Sequence, residues 1–447
     1  MREVISLHLG QAGIQLALPL WKLYCEEHGI QLDGKITEGA ACNGSCFSSH
    51  FTRTQDDRCI PNALLLDLDP SVAGKVSPSS SMGSFLKRYA LPGSDKNDVI
   101  VKELFGKDNF LTWKEDAANI FQRGFIMGSE RISQVGDRLS SMLELCDSFQ
   151  GFIIFRSAGG GTGSGFTSSL FEHLSDNMKK KCNIELAVYP SKGSAVLEPY
   201  NTVLGLHRMM NFVNCSFVVD NEALFNMSKK NVSSYKSSFI DVNRLVANAV
   251  STITASIRFE GCLNVDLNEF QTNLVPYSRV HFPFMSYAPV KFPGVTKTEK
   301  LSIRGLTKSC FESTNRMATV EAEKGKYVAC CLIYRGDVGQ QEVSDSLSQA
   351  KNSSSVQFVD WSPTGFKVGM NASPKGKTDD QDPSLALIAN STSLADYIAK
   401  LNHKFDLMYK KMAFVHWYFA EGLEANEFIE AREDTSKLEE DYINLKD

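Results

Sequence analysis

No stretch of this 447-residue chain approaches about eighteen uncharged apolar residues, so none is expected to cross a membrane. The opening MREVISLHLG lacks the long apolar core and small-residue cleavage site of a secretory signal, and it alternates like a strand. A surplus of positive charge is missing too. The formal net charge of −5 argues against nucleic acid as the partner. The eleven cysteines are odd in number and scattered, which points to reduced thiols in the cytosol rather than a disulfide framework. In such a chain the sequons at Asn43 and Asn390 are chance matches. No internal repeat is found. What is present is 43% hydrophobic and 22% charged residues over a length too great for one core, the mark of a multidomain α/β protein.

The first 220 residues alternate apolar runs with helical patterns. VISLHLG, ALLLDLD, GFIIFRS, IELAVYP and CSFVVDN read as buried strands, and residues 13–29 and 117–145 carry a helical period. This alternation predicts a mostly parallel sheet covered on both faces. Ligands bind such sheets at the carboxyl ends of the strands. Chemistry is therefore expected just after Leu9, Leu68, Phe155, Tyr189 and Val219. Polar segments at 34–60 and 76–114 break the rhythm, and the second reads as a long surface insertion. Beyond Asn221 comes a helical pattern through Arg244–Phe259, then strand-like VHFPFM, YVACCLIYR and VQFVDW. A polar loop at 372–384 precedes a wholly helical end from Leu394.

Between the strand Phe152–Arg156 and a helix from Ser164 lies SAGGGTGSG, Ser157 to Gly165. Such a glycine run lets backbone N–H groups converge on an anion, and the helix N-terminus adds its dipole. Phosphate is the natural ligand. No frame supplies Gly-x-Gly-x-x-Gly, and Phe166 stands where a Walker A loop needs lysine. Phosphate charge must then be met by backbone dipoles and a bound cation. Gln11, in Gly10-Gln11-Ala12-Gly13, follows the first strand. Asp67 and Asp69 end ALLLDLD two residues apart, so both point to one side; one of them would hold Mg²⁺ through water, unless it merely caps a helix. Asn221 and Asn243 offer amides to a base edge or ribose. Asp266 and Glu269, three apart, share a helix face that without context is simply solvated. Cys42, Cys46, Cys59 and His50 have spacing poor for zinc and read as free thiols and a histidine, while Cys330 and Cys331 read as core.

The loop SAGGGTGSG resembles the signature of the tubulin family, and the similarity runs over nearly the whole chain. HGIQLDG, KEDAAN, SITASIRFEG, NVDLNEFQTNLVPY, YVACCLIYRGDV, VQFVDWSPTGFKVG and KFDLMYKKMAFVHWYFAEGLEANEFIEARED are similar to α-type segments, in a divergent form. The resemblance implies a Rossmann-type parallel-sheet GTPase domain at 1–222, a mixed α/β intermediate domain at 223–392 and a C-terminal helical hairpin at 393–447. It implies GTP and Mg²⁺ as cofactors and a heterodimer with β-tubulin that assembles head to tail in cytoplasmic microtubules. Gln11 and Asp69 would contact nucleotide and magnesium, Asp69 being shorter than the family's Glu. Ser157, Gly160, Gly161, Thr162 and Gly163 would hold phosphates, with Asp116 to Asn119 beside the γ-phosphate. Asn221 and Asn243 would read guanine, Phe239 would stack on it in place of Tyr, and Ser194 would stand near the ribose in place of Thr. Asp266 and Glu269 would reach the GTP of the next β subunit, where Glu269 orients or activates water, while this chain's own GTP stays buried and unhydrolysed.

Departures from the family bear on partners. The 76–114 insertion, with Lys297 and Thr298 in the facing loop, touches the expected lateral contacts with other tubulin chains. Ala40 stands at the acetylated lysine position, and the sequence closes at Lys446-Asp447 without a glutamate-rich tail. Tail-dependent binding of microtubule-associated proteins is therefore expected to be weak. The alternative reading is a non-polymerising, GTP-binding tubulin-like protein that caps or sequesters β-tubulin.

Overall fold

Strand β1 (Glu3–Leu9) is buried along its whole length, as a strand covered on both faces must be. The computed structural model describes residues 2–37, 47–69, 104–178, 181–191, 195–231, 238–259, 261–291, 301–353, 356–363, 365–372 and 382–446. Helix α1 (Gly10–His28) follows at once and ends at Gly29, whose φ of 67° allows the left-handed turn that closes a helix. A small hairpin, β2 (Phe51–Arg53) and β3 (Cys59–Pro61), precedes β4 (Ala63–Asp67) and β5 (Phe110–Thr112). The expected alternation continues through α2 (Phe121–Glu144), β6 (Phe149–Ser157), α3 (Thr167–Asn177), β7 (Cys182–Tyr189), α4 (Glu198–Met209), β8 (Cys215–Asp220) and α5 (Asn221–Asn231).

Helix α6 (Phe239–Arg258) opens on Ser238, whose N–H donates to the Asp241 carboxylate at 3.1 Å. Then come β9 (Gly261–Leu263), α7 (Leu267–Leu274), β10 (Phe284–Ala288), α8 (Ile303–Phe311), β11 (Tyr327–Arg335) and α9 (Gln340–Lys351). Strands β12 (Phe366–Asn371) and β13 (Ser384–Ser391) lead into α10 (Leu394–Tyr409), α11 (Val415–Ala420) and α12 (Ala425–Asn444).

One eleven-stranded sheet runs in the order β5-β4-β1-β6-β7-β8-β10-β13-β11-β12-β9. Every pairing from β5 to β8 is parallel. The remainder is mixed, with β13 antiparallel to both β10 and β11. The halves meet at β8 and β10, in register at Val218 and Phe284. Strand β1 has β4 on one side and β6 on the other, so the order reverses there and a crevice opens at the carboxyl ends.

Two expected strands shift. VQFVDW makes only a bridge, Phe358 to Tyr327, and its Phe358 ring packs on Tyr327 and Phe366. The neighbouring FKVGMN takes the place beside β11 instead. In VHFPFM, Pro283 has no N–H to give a ladder, and the strand starts at Phe284. Cys330 and Cys331 are buried core residues as expected.

A buried charge cluster joins α1, α6 and β11. Arg258 reaches Glu27 Oε2 at 2.5 Å and stacks over Tyr24 with its guanidinium carbon 4.1 Å from the ring centre. Arg335 reaches Glu27 Oε1 at 2.7 Å, and the Ser251 hydroxyl donates to the same oxygen at 2.7 Å. Burial pushes the Glu27 carboxyl up, but the two guanidiniums outweigh it and hold it at about 2. A carboxyl depressed in the fold stabilises above its unfolded pKa of 4.5 and loses that contribution as pH falls towards about 2. Glu27→Gln is expected to cost ~3–5 kcal/mol in denaturant unfolding at neutral pH, because it leaves two buried cations short of their partner. The same variant should show a smaller stability loss than the unmodified chain between these two pH values.

Candidate functional site

The glycine run occupies the turn from β6 into α3, where Thr162–Phe166 form one π-helical turn, a feature often found at functional sites. Its glycines are dictated by backbone approach. A Cβ on Gly163 would stand 2.4 Å from Ser157 O, and one on Gly161 would stand 2.8 Å from Ile120 N. Gly10, with φ of 67°, presses on Gly163 N from the start of α1. The N-terminal ends of α1 and of the turn into α3 thus meet at one crevice, with Ser157 half-buried and Gln11 exposed on it. Thr162 is buried in this turn.

The Asp116–Asn119 segment closes the other side of the loop, since Gly161 abuts Ala117 and Asn119. Ala118 and Asn119 both take positive φ, 47° and 57°, a strained pairing outside glycine. Fully buried Asn201, from α4, ties these pieces together. Its Nδ2 donates to Gly159 O at 2.9 Å and Asn119 O at 2.8 Å. Its Oδ1 accepts Phe121 N–H at 3.0 Å and Tyr418 O–H at 2.7 Å. Beneath the loop, buried Arg156 pairs with Glu185 at 2.7 Å and points a second nitrogen at Gly163 O, 3.5 Å away. Sequence reasoning missed both residues. The signal for Asn201 was a lone amide on the apolar face of EPYNTVLGL; for Arg156 it was a charge inside the apolar strand GFIIFRS.

Carboxylates gather at the end of β4. Asp67 is buried and its Oδ2 has no hydrogen-bond partner among the described residues. Burial, added to by the charges of Asp69 and Asp116, lifts its carboxyl to about 7. Asp69 is half-buried and Asp116 exposed. Among the described residues no group of three or more His, Cys, Asp or Glu side chains forms a metal cage. An orphaned buried carboxylate beside two others nevertheless fits a hard cation that takes its remaining oxygens from water or phosphate.

At the crevice's other end, the Phe225 and Phe239 rings meet edge to face, 5.1 Å apart, where α5 packs on α6. Asn221 lies one turn before Phe225, and Asn243 one turn after Phe239. Each amide therefore shares a helix face with one of the rings. Phe239 remains more than half exposed. Ser194 lies outside the described residues, as do Ala40, Cys42, Cys46, Lys297, Thr298 and residues 76–103 of the expected insertion. His50 and Cys59 are buried.

Asp266 and Glu269 sit elsewhere. Asp266 precedes α7 and Glu269 lies in its first turn. Asp266 pairs with Arg2, the residue just before β1, and Glu269 Oε2 pairs with Lys367 Nζ at 2.5 Å. Burial raises the Asp266 carboxyl, against the lowering effect of Arg2. The glycine loop follows the far ends of the parallel strands, roughly 20 Å away along the seven residues of β1. The two carboxylates therefore cannot reach a nucleotide held in this chain's own crevice.

The pattern of the Tubulin/FtsZ family, GTPase domain, matches residues 3–229, and that of the Tubulin C-terminal domain matches residues 278–403. Tubulin alpha-2 chain of Homarus americanus is 44% identical to it, over 99% of this chain and 96% of that protein. The chain belongs to the tubulin family. Within tubulins its likeness is of the α type, and it carries the family's GTPase domain in an α/β fold. No helix of the described residues is long and apolar enough to cross a membrane.

The two kinds of loop glycine are separable in this tubulin. Gly163→Ala is expected to lower stability by ~1–3 kcal/mol or more through its clash with Ser157 O. At Gly160 a Cβ meets nothing nearer than Ser157 Oγ at 3.9 Å. Gly160→Ala should therefore keep the melting temperature and lower only the nucleotide retained per chain, as read by chromatography of the denatured protein.

Proposed function

We propose that this chain is a microtubule subunit that holds GTP and Mg²⁺ in its own crevice and pairs with β-tubulin. In the polymer it would supply Glu269 to the GTP of the adjoining β subunit. The carrying observation is the separation of Asp266 and Glu269 from the phosphate loop by the length of the parallel strands. A residue suited to orient water, placed at the end of the molecule opposite its own loop, serves a nucleotide on a neighbour. Head-to-tail contacts of that kind generate open filaments.

In the crevice, the loop N–H groups at Gly160, Gly161, Thr162 and Gly163 would bind the phosphates, with Ser157 and Gln11 alongside. Asn221 and Asn243 would read the guanine and Phe239 would stack on it. Asp67 and Asp69 would hold magnesium, which supplies positive charge against the phosphates. Asp116 and Asn119 would close over the terminal phosphate. On the opposite end, Glu269 would orient the attacking water, a role worth roughly 10²–10⁴ in rate, with Asp266 beside it.

Docking of a partner is supported by an exposed apolar stretch. Leu407, Met412, Phe414, Trp417 and Phe419, on and between α10 and α11, are each at least 39% exposed. So much apolar surface within thirteen residues is suited to burial against another subunit. The chain would thus be a structural constituent of the cytoplasmic cytoskeleton and a GTPase by virtue of its assembly. Lateral contacts with other tubulin chains complete this reading.

Co-expression with β-tubulin and GTP-driven pelleting tests it. The heterodimer should enter polymer, and Glu269→Ala should slow phosphate release in that polymer by ~10²-fold or more while bound nucleotide stays at its unmodified level. A heterodimer that forms yet never pellets, even mixed with ordinary tubulin, would replace this reading with that of a cap or sequestering protein. Asp69→Ala is expected to weaken magnesium-dependent nucleotide retention by ~10-fold or more, measured against chelator concentration.

A further inference from the structure

The acidic face of α7 does not stand alone. Arg2 reaches Asp266 from the start of β1, and Lys367 reaches Glu269 from β12. We propose that Lys367 is a positioning residue for Glu269, pinning one carboxylate oxygen so that the other is presented to the attacking water. This inference rests on the assignment of Glu269 to the neighbour's GTP.

Lys367 is rooted in a strand rather than a loop. Its Cα lies opposite Cys331 of β11, and β12 is also paired with β9 on its other edge. Glu269 Oε2 is buried, and its contact is the Lys367 ammonium. A half-exposed glutamate has several rotatable bonds, and a fixed cation on one oxygen selects among its orientations. The ammonium has a second effect. A carboxylate facing an incoming triphosphate is repelled by it, and Lys367 with Arg2 balances the two negative charges of Glu269 and Asp266.

Among the described residues, the groups facing Glu269 are few. Besides Lys367 there are Asp266 and its partner Arg2, and the thiol of Cys331 on β11. On β7, the Cys182 thiol donates to Leu267 O in the same turn of α7 at 3.8 Å. Burial pushes both thiols up to about 12, so neither carries charge near neutrality. Among the described residues, Lys367 is the cation in contact with Glu269. A half-exposed ion pair contributes little to stability. Loss of Lys367 should thus be seen in the rate of the chemistry rather than in folding.

The test compares Lys367→Met, Lys367→Arg and Glu269→Gln chains, each assembled with β-tubulin on a slowly hydrolysed GTP analogue and then with GTP. Single-turnover phosphate release in polymer is followed at neutral pH. Without the cation that orients Glu269, the rate for Lys367→Met should fall by ~10-fold. Lys367→Arg should restore it, and the critical concentration with the analogue should change by less than ~2-fold. Should the Met chain fail to assemble, Lys367→Gln provides the same uncharged comparison. An unchanged rate for the uncharged variant, or no rescue by Arg, overturns the inference while leaving Glu269 in place if Glu269→Gln is slow. Normal hydrolysis by Glu269→Gln overturns both.

Discussion

Parallel strands cannot be joined by hairpins; each must be followed by a crossover that returns the chain to the starting edge. From β5 to β8 this constraint gives the molecule two chemically different ends. Turns leading into helices α1, α3 and α5 gather at the carboxyl end, with their N–H groups and helix dipoles facing outward. The amino end collects what precedes the strands, including Arg2, and it is there that α7 packs against β6 and β7. A glycine-loop crevice and an acidic helix on opposite ends follow from strand direction, and the proposed head-to-tail filament is an assembly that would use both.

The crevice also shows how little freedom its backbone has. Gly163 and Gly161 are hemmed in by backbone atoms on the protein side, so the loop is shaped by the elements around it before any ligand arrives. Asn201 extends that constraint to the helical end of the chain, because one side chain bonds the glycine loop, the Asn119 turn and Tyr418. The strained pair Ala118–Asn119 is held in place by the same amide. Pre-organisation here is a property of several elements locking a single loop, and it reaches towards the apolar surface proposed for partner docking.

Much of this was legible in the sequence where the signal is local. Apolar runs bounded by turn residues gave the positions of β1, β4, β6, β7 and β8, and strand direction then located the crevice. The glycine loop was legible as a tight backbone turn between β6 and α3. What stayed hidden depends on partners distant in sequence. Nothing around Lys367 says that it faces Glu269, 98 residues earlier, and nothing near Glu27 says that Arg258 and Arg335 converge on it. VQFVDW misled for the same reason: its alternation suits a strand, but the place beside β11 went to FKVGMN, whose pairing is decided by the sheet. In the pair Asp67 and Asp69, spacing marked both, while burial singles out Asp67.

The chain's two groups of carboxylates are treated in opposite ways, and the difference accords with their proposed roles. At the phosphate end Asp67 is buried with an unpartnered oxygen and has acidic neighbours, Asp69 and Asp116. A carboxylate in that setting is costly to ionise until a cation arrives. On the proposed reading, cation and anionic nucleotide would each lower the cost of binding the other. At the opposite end Asp266 and Glu269 have their cations built in, from Arg2 and Lys367. That arrangement needs no metal of its own, and it lets an acidic face approach a neighbour's phosphates without bringing net negative charge. On the proposed function, charge is left incomplete where the chain would bind its own ligand, and balanced where it would act on another's.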